Sequence, residues 1–174
     1  MKFVGKPTVT FAEFPDEISL CFNISGCPNH CVGCSEPELA LDIGEKLTFD
    51  VVDHAVSENK GISLLGFLGG DQDHNYLIKL IFQIKSKYPD LKIGIYSGRN
   101  YIDFKLAFLV DYYKIGEWRM FQGDESTWKN QTAGPIVLPT SNQIMFKRDG
   151  NNLVNITDRF RDHVVNNWNS VIIK

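Results

Sequence analysis

The crowding of its cysteines is the feature that most constrains this chain. All four cysteines lie between positions 21 and 34 of a 174-residue sequence. A secreted domain held by disulfides normally spreads its bridges along the chain, whereas a tight cluster in a cytosolic protein more often binds metal. The first ten residues also lack the apolar core of a signal peptide. We therefore expect a cytoplasmic protein whose thiols hold a metal centre.

Three of the cysteines have the spacing C-x3-C-x2-C. Cys27, Cys31 and Cys34 follow the mostly apolar residues 17–25, which predict a buried strand, and their own segment has the glycines and prolines of a loop. Three thiolates on one loop can bind three irons of a [4Fe–4S] cubane. The fourth iron then has no protein ligand nearby and stays open to a substrate.

Two other interpretations of these cysteines remain open. A structural zinc site would use the loop cysteines together with Cys21 or His30, and plain thiols or disulfides would need no metal. Zinc sites more often use two separated C-x2-C pairs, and this chain has only one such pair. Cys21 lies inside the predicted strand, which favours a small core residue, and His30 is a loop side chain near the centre.

Apolar runs and helical repeats alternate along the first two thirds of the chain. Strands are predicted at residues 17–25, 62–68, 91–96 and 112–115, helices at 48–59, from Asp73 onward and at 101–109, and a hairpin at 143–147 and 153–156. Thr48 and Asp73 are the expected N-caps of the first two helices. The alternation predicts a mainly parallel α/β sheet. The length and the hydrophobic content of 43% fit a single domain over residues 1–174.

The charge and hydropathy of the chain exclude two classes of partner. The formal net charge is −3, and no apolar stretch is long enough to span a bilayer. We therefore expect binding neither to nucleic acid nor to a membrane.

A glycine pair ends the second predicted strand. Gly69-Gly70-Asp71 follows that strand directly, and backbone without side chains lets a ligand approach closely. Ligands of parallel α/β folds bind at the carboxyl ends of the strands. The turn and the cysteine-bearing loop should therefore lie at the same rim of the sheet and share a ligand.

These motifs resemble the radical S-adenosylmethionine (SAM) superfamily and, within it, the activating enzymes of anaerobic (class III) ribonucleotide reductases. The cysteine spacing is similar to the superfamily signature, and Gly69-Gly70-Asp71 is similar to its GGE motif with Asp in place of Glu. Further similar segments are Phe14 to Leu20, Ile24 to Pro28, Gly33, Phe67 to Asp71, Tyr96-Ser97-Gly98, Asp111 to Gly116 and Thr140-Ser141-Asn142-Gln143. Together they cover most of the chain.

The resemblance implies both a fold and a set of site residues. The fold would be a partial, open TIM-like barrel of radical SAM type, with mainly parallel strands alternating with helices and a C-terminal hairpin. Cys27, Cys31 and Cys34 would ligate a [4Fe–4S] cluster. SAM would be held by Gly69, Gly70, Asp71, Tyr96, Ser97, Gly98 and Lys114, and the edge of the site or the partner surface would include Ser35, Asn142 and Gln143.

The activity that the resemblance implies is that of a glycyl radical enzyme activase. The cluster would cleave SAM reductively to a 5′-deoxyadenosyl radical, which would take a hydrogen atom from a glycine of anaerobic ribonucleotide reductase. A flavodoxin-type or similar protein would supply the electron. Alternatives are a radical SAM enzyme acting on another protein, a peptide or a small molecule, an iron–sulfur electron carrier, and a zinc-stabilised binding module.

Two departures from the pattern bear on the identity of the partner. Ser35 stands where relatives often carry an aromatic residue or histidine, and Glu117-Trp118 stands where a Pro-Tyr pair is common. Neither departure touches the cysteines.

Overall fold

The computed structural model describes residues 1–119, 138, 140 and 142–160. The strands are β1 (Lys2–Thr10), β2 (Ser19–Ile24), β3 (Glu45–Lys46), β4 (Leu64–Leu68), β5 (Lys92–Tyr96), β6 (Tyr112–Ile115), β7 (Ile144–Asp149) and β8 (Asn152–Asn155). The helices are α1 (Phe49–Glu58), α2 (His74–Lys87) and α3 (Phe104–Ala107), and 3-10 turns cover Pro37–Ala40 and Asp71–Asp73.

The strands form one mixed sheet in the order β3-β1-β2-β4-β5-β6-β7-β8. Its centre consists of β2, β4, β5 and β6, which pair in parallel. On one side β1 and β3 add antiparallel strands, and on the other side β7 and β8 do the same. The four central strands correspond to the four strands predicted from the sequence.

The expectation of an open TIM-like barrel of radical SAM type is wrong. The sheet is mixed and not closed, and strands and helices do not alternate through the described residues, since antiparallel strands flank the parallel centre. A barrel needs strand–helix units repeated until the sheet closes on itself. In the part of the chain that the structure describes, β6 is followed by the hairpin of β7 and β8, in which Asp149 pairs with Asn152.

The helix boundaries follow local sequence signals. The side chain of Thr48 caps α1 by accepting a hydrogen bond from the backbone N–H of Val51 at 3.4 Å. Asp73 precedes α2, but its side chain makes no capping bond. Asp103 caps α3, so that helix begins later than the prediction of 101–109 and is a single turn. Within the described part of the chain, no helix is both long and apolar enough to cross a membrane.

The two faces of the sheet carry different side chains because strand residues alternate in direction. One face packs against the helices and includes the buried residues Leu20, Phe22, Leu65, Phe67, Ile93 and Ile95. On the other face the fully buried ring of Phe14 lies over Gly66 and Gly94, which pair in register. A Cβ atom at Gly66 would lie 2.7 Å from this ring, so the glycines make the space that the ring fills. Tyr96 and Lys114 lie further along this second face, at the carboxyl ends of β5 and β6.

Candidate metal centre

Residues 26–35, named here the cysteine loop, connect the carboxyl end of β2 to the segment before β3. Cys27, Cys31 and Cys34 are half-buried and form no disulfide. Two backbone hydrogen bonds fix the start of the loop, from the N–H of Gly26 to Leu41 and from the N–H of Cys27 to Leu39, each at 2.9 Å. The three thiols therefore lie on a loop whose entry is anchored to the segment that follows it.

Two amide side chains tie the cysteine loop to the neighbouring strand ends. Asn29 donates from Nδ2 to the carbonyl of Gly98, after β5, at 2.6 Å. Gln72 donates from Nε2 to the carbonyl of Ser25 at 2.9 Å and accepts from the N–H of Gly70 at 3.0 Å. The loop, the glycine turn after β4 and the end of β5 are thus joined at one rim of the sheet, as the sequence predicted for the first two.

The thiol of Cys31 lies in an environment that disfavours its charged form. Burial raises its pKa, and the nearby charges of Cys27, Cys34 and Glu117 act in the same direction, while the backbone N–H of Trp118 donates to it and opposes them. A metal binds the thiolate, so binding to Cys31 would release a proton. The indole Nε1 of Trp118 is buried and has no hydrogen-bond partner among the described residues.

The donor set fits an iron–sulfur cluster. Among the described residues, no three His, Cys, Asp or Glu side chains are gathered around the position of a single ion. In a cubane, each thiolate binds a different iron. Three free thiols on one loop supply the ligands that such a cluster uses.

Cys21 lies apart from the other three cysteines. It is buried in β2, and burial raises the pKa of its thiol to about 12. A Cβ atom at Gly66 would lie 2.6 Å from its sulfur, so the thiol packs tightly on the neighbouring strand. Its position agrees with the core role expected from the sequence.

The glycine turn has the backbone that its sequence requires. Gly69 and Gly70 have φ angles of +110° and +101°, a region that residues with side chains rarely adopt. The N–H of Gly69 donates to the carbonyl of Tyr96 at 3.0 Å, which joins the turn to β5.

The carboxylate of Asp71 is tied to the end of β5 through one of its oxygens. Oδ2 accepts from the hydroxyl of Ser97 at 2.7 Å and pairs with Nε of Arg99 at 2.8 Å. Arg99 also donates to the backbone carbonyl of Asp71 at 3.0 Å. The side chain of Asp71 therefore holds the ends of β4 and β5 together.

Lys114 is a buried cation opposite Tyr96 in the register of β5 and β6. The residue is 7% exposed, and Nζ lies 4.1 Å from the centre of the Tyr96 ring. Burial lowers the pKa of Lys114 to about 8, although the charge of Glu13 raises it. The described residues offer this ammonium no hydrogen bond and no ion pair. Burial also raises the pKa of Tyr96, whose hydroxyl donates to the backbone carbonyl of Glu13.

Asn142 and Gln143 support the segment that follows β6. Asn142 donates to the carbonyl of Glu117 at 2.9 Å, and Gln143 donates to that of Gly116 at 3.2 Å. The next residue, Trp118, donates its backbone N–H to Cys31, so these amides support the cysteine loop indirectly. Ser141 lies outside the described residues.

Four residues of this rim were not among the predicted site residues: Asn29, Gln72, Arg99 and Trp118. Asn29, Gln72 and Arg99 each bond to the backbone of a segment distant in the sequence, and no local pattern in the sequence marks such contacts. The only sequence signal at Trp118 was that Glu117-Trp118 replaces the Pro-Tyr pair common in the reductase activases. The predicted Ser35 is exposed beside Cys34.

A half-buried, three-thiol loop at the carboxyl rim of a mixed α/β sheet places this chain in the class of proteins suited to an iron–sulfur cluster. A family model described as "4Fe-4S single cluster domain" matches residues 18–117, more than half of the chain. The chain belongs to this family and is an iron–sulfur protein. The match runs from β2 through β6 and contains the whole cysteine loop. Comparisons with curated proteins and with solved structures gave no match.

Proposed function

We propose that this protein is a radical SAM enzyme that activates anaerobic ribonucleotide reductase by forming its glycyl radical. Cys27, Cys31 and Cys34 are the proposed ligands of a [4Fe–4S] cluster. The observation that carries the proposal is the position of the fourth cysteine. Cys21 is buried in β2 with its pKa raised to about 12. The chain has no fifth cysteine, so one iron of the cluster is left without a cysteine ligand and open to a small molecule.

The residues around the rim suit the amino-acid part of SAM, which carries an ammonium and a carboxylate. Lys114 is a buried cation that makes no close ion pair with a described residue, although the charge of Glu13 favours its protonated form, and it would pair with the carboxylate. The backbone of the turn at Gly69 and Gly70 would receive the ammonium. Ser97 and Gly98 end β5 beside this turn and would complete that side of the site. A reduced cluster would supply the electron that breaks the C–S bond of SAM.

The proposed partners are proteins, for two reasons. The resemblance of the motifs to reductase activases gives the reductase as substrate and a flavodoxin-type protein as electron donor. The cysteine loop also carries an exposed apolar side chain, Val32, which is 84% exposed. Together with Ser35, it leaves the surface over the proposed cluster accessible to another protein.

An iron–sulfur electron carrier is the second candidate, because the family match gives a single cluster without a substrate. A carrier normally closes its cluster with four cysteines, and Cys21 is held away from the loop by its place in β2. The two candidates differ in one measurable product, because only a radical SAM enzyme forms 5′-deoxyadenosine. Radical SAM enzymes acting on other substrates share that product and are separated by the identity of the radical acceptor.

The test uses the full chain, reconstituted anaerobically with iron and sulfide, reduced with dithionite and mixed with SAM. We expect 5′-deoxyadenosine from the wild type and from Cys21→Ala, and none from Cys31→Ala. Cys21→Ala is the matched control because it also replaces a cysteine by alanine, but in a buried strand outside the cysteine loop. Zinc without acid-labile sulfide, or equal loss of the cluster in both variants, would contradict the ligand assignment. A stable cluster that never cleaves SAM would favour the electron carrier.

The partner is tested by adding anaerobic ribonucleotide reductase to the reduced protein with SAM. A glycyl radical signal in the electron paramagnetic resonance spectrum, dependent on Cys31, is the expected result. SAM cleavage without that signal would favour a radical SAM enzyme that acts on another protein, a peptide or a small molecule.

A further inference from the structure

The cysteine loop has a backbone conformation that residues with side chains rarely adopt. Gly26 and Gly33 have φ angles of +79° and +71°, and His30, which carries a side chain, has +46°. A residue other than glycine in this region costs about 1 kcal/mol or more and persists where its surroundings hold it. His30 is exposed, so its own side chain is not what fixes the backbone.

The contact that holds this stretch comes from the preceding residue. Asn29 lies between Cys27 and His30 in the sequence, and its Nδ2 donates a hydrogen bond to the carbonyl of Gly98 at 2.6 Å. A Cβ atom at Gly98 would overlap Nδ2 of Asn29, so the approach depends on glycine at that position. The loop is thereby attached to the end of β5 by a single short bond across a sequence separation of 69 residues.

The second contact acts at the start of the loop. Gln72 uses both ends of its amide, since Nε2 donates to Ser25 and Oε1 accepts from Gly70. Nε2 would also touch a Cβ atom at Gly26, at 3.7 Å. One side chain therefore sets the distance between the glycine turn and Ser25, two residues before Cys27.

We propose that Asn29 and Gln72 are positioning residues, which hold the cysteine loop in its ligand-binding conformation before the cluster is inserted. The inference rests on the loop cysteines being the ligands, as proposed above, and it does not depend on SAM chemistry. A loop fixed in advance loses less conformational entropy when it takes up iron and sulfide. Cluster uptake should then be faster and the bound cluster more uniform than on a loose loop.

The experiment compares wild type with Asn29→Asp, Gln72→Glu and the control Asn100→Asp. Asn29→Asp removes the donor and places two acceptors opposite each other, and Gln72→Glu keeps the bond from Gly70 but loses the one to Ser25. Asn100 is an exposed asparagine two residues beyond Gly98, so its variant carries the same charge change but leaves the bonds of Asn29 and Gln72 intact. Hydrogen–deuterium exchange is measured on the metal-free chain, followed by the rate of cluster uptake and the spectrum of the reduced cluster.

We expect the amides of Gly26, Cys27 and Cys34, which donate backbone hydrogen bonds, to be protected in the metal-free wild type and in Asn100→Asp. In Asn29→Asp and Gln72→Glu they should exchange roughly 10-fold faster, as expected for the loss of one such bond, while β4 and β5 stay protected. Cluster uptake should slow in the same two variants, and their reduced clusters should give broadened spectra.

Unprotected loop amides in the metal-free wild type would overturn the proposal, as would wild-type exchange and uptake in both variants. If Asn29→Asp also loses protection in β4 and β5, it has failed to fold and Gln72→Glu alone decides. The result is separable from the proposed function. If the variants behave as expected but no 5′-deoxyadenosine forms, only the SAM chemistry is refuted. If SAM is cleaved but exchange is unchanged in the variants, only the positioning role of Asn29 and Gln72 is refuted.

Discussion

Replacing Lys114 by methionine should make the protein more stable and weaken its binding of SAM. The ammonium of Lys114 is buried opposite Tyr96 without an acceptor among the described residues. A buried charge without a partner costs folding free energy, and a ligand that supplies the missing anion recovers it. Methionine has a similar length and removes the charge without leaving a large cavity.

The size of the effect follows from the pKa. Its fall from 10.5 to about 8 means that folding disfavours the protonated form of Lys114. At about 1.4 kcal/mol per pKa unit, the cost is about 3 kcal/mol at neutral pH. The contact with the Tyr96 ring, at 4.1 Å, returns about 1 to 2 kcal/mol that methionine would not. We expect Lys114→Met to be more stable by about 1 to 2 kcal/mol at pH 7.

The pH dependence separates this cause from better packing. Below about pH 8 lysine is protonated in both the folded and the unfolded chain, so the whole cost is present. Between that pH and 10.5 the unfolded chain binds more protons, so the stability of the wild type rises relative to the variant. The gain of Lys114→Met should therefore shrink through this window.

The assay is anaerobic urea denaturation of the wild type and the variant at pH 7 and near pH 10, together with SAM binding at pH 7. Lys92→Met is the matched control. Lys92 lies on the same face and pairs with the buried Glu17 at 2.6 Å, so the same substitution there should destabilise. The reasoning is refuted if Lys114→Met is less stable at pH 7, or if its gain is independent of pH. Unchanged SAM affinity would remove Lys114 from the proposed site.

Three further substitutions test the surroundings of the rim. Gly94→Ala should lower stability by about 1 to 3 kcal/mol in urea denaturation because its Cβ would overlap the Phe14 ring, and adding Phe14→Leu should recover part of the loss. Glu17→Gln should destabilise the protein at pH 7. Burial raises the pKa of Glu17, but hydrogen bonds from Lys92 and Ser63 outweigh it and lower the pKa below 4.5. In a pH series, the difference in stability between wild type and variant should therefore narrow below pH 4.5. Asp71→Asn should cost about 2 to 3 kcal/mol in thermal or urea unfolding, since it removes the partner of Arg99, and an unchanged midpoint would show that this carboxylate does not hold the strand ends.

The sequence predicted the parallel centre of the sheet well, since its strands are continuous apolar runs buried on both faces. It predicted the first two helices for the same reason, because apolar spacing and an N-cap are local signals. The hairpin of β7 and β8 was also predicted, through its turn, but the flank formed by β1 and β3 was not. β1 is mostly polar and only partly buried, so its pairing with β2 leaves no period of apolar residues to recognise. Without that strand, the antiparallel edge beside β2 could not be predicted, and the expected barrel was wrong.

The candidate site shows the same division. Cysteine spacing and the glycine pair are local patterns, and both indicated the rim on which these segments lie. The contacts that fix the rim are side-chain amides such as Asn29 and Gln72, each bonded to a backbone group of another segment. The sequence alone does not distinguish Asn29 and Gln72 from the other asparagines and glutamines, because only the fold brings these two to the backbone groups that they bond.

Charge pairing separates the structural side chains of the sheet from the candidate ligand-binding one. Glu17, before β2, pairs with Lys92 at the start of β5, and Asp71, after β4, pairs with Arg99 after β5. Lys114 lies on the face that carries Glu17 and Lys92 and is as buried as the two carboxylates, but it makes no close ion pair with a described residue, and only the charge of Glu13 favours its protonated form. Stability alone does not explain a buried ammonium held in this way, because a neutral side chain would cost less. The most direct physical reason to keep a lysine at this position is an anion that arrives with a ligand.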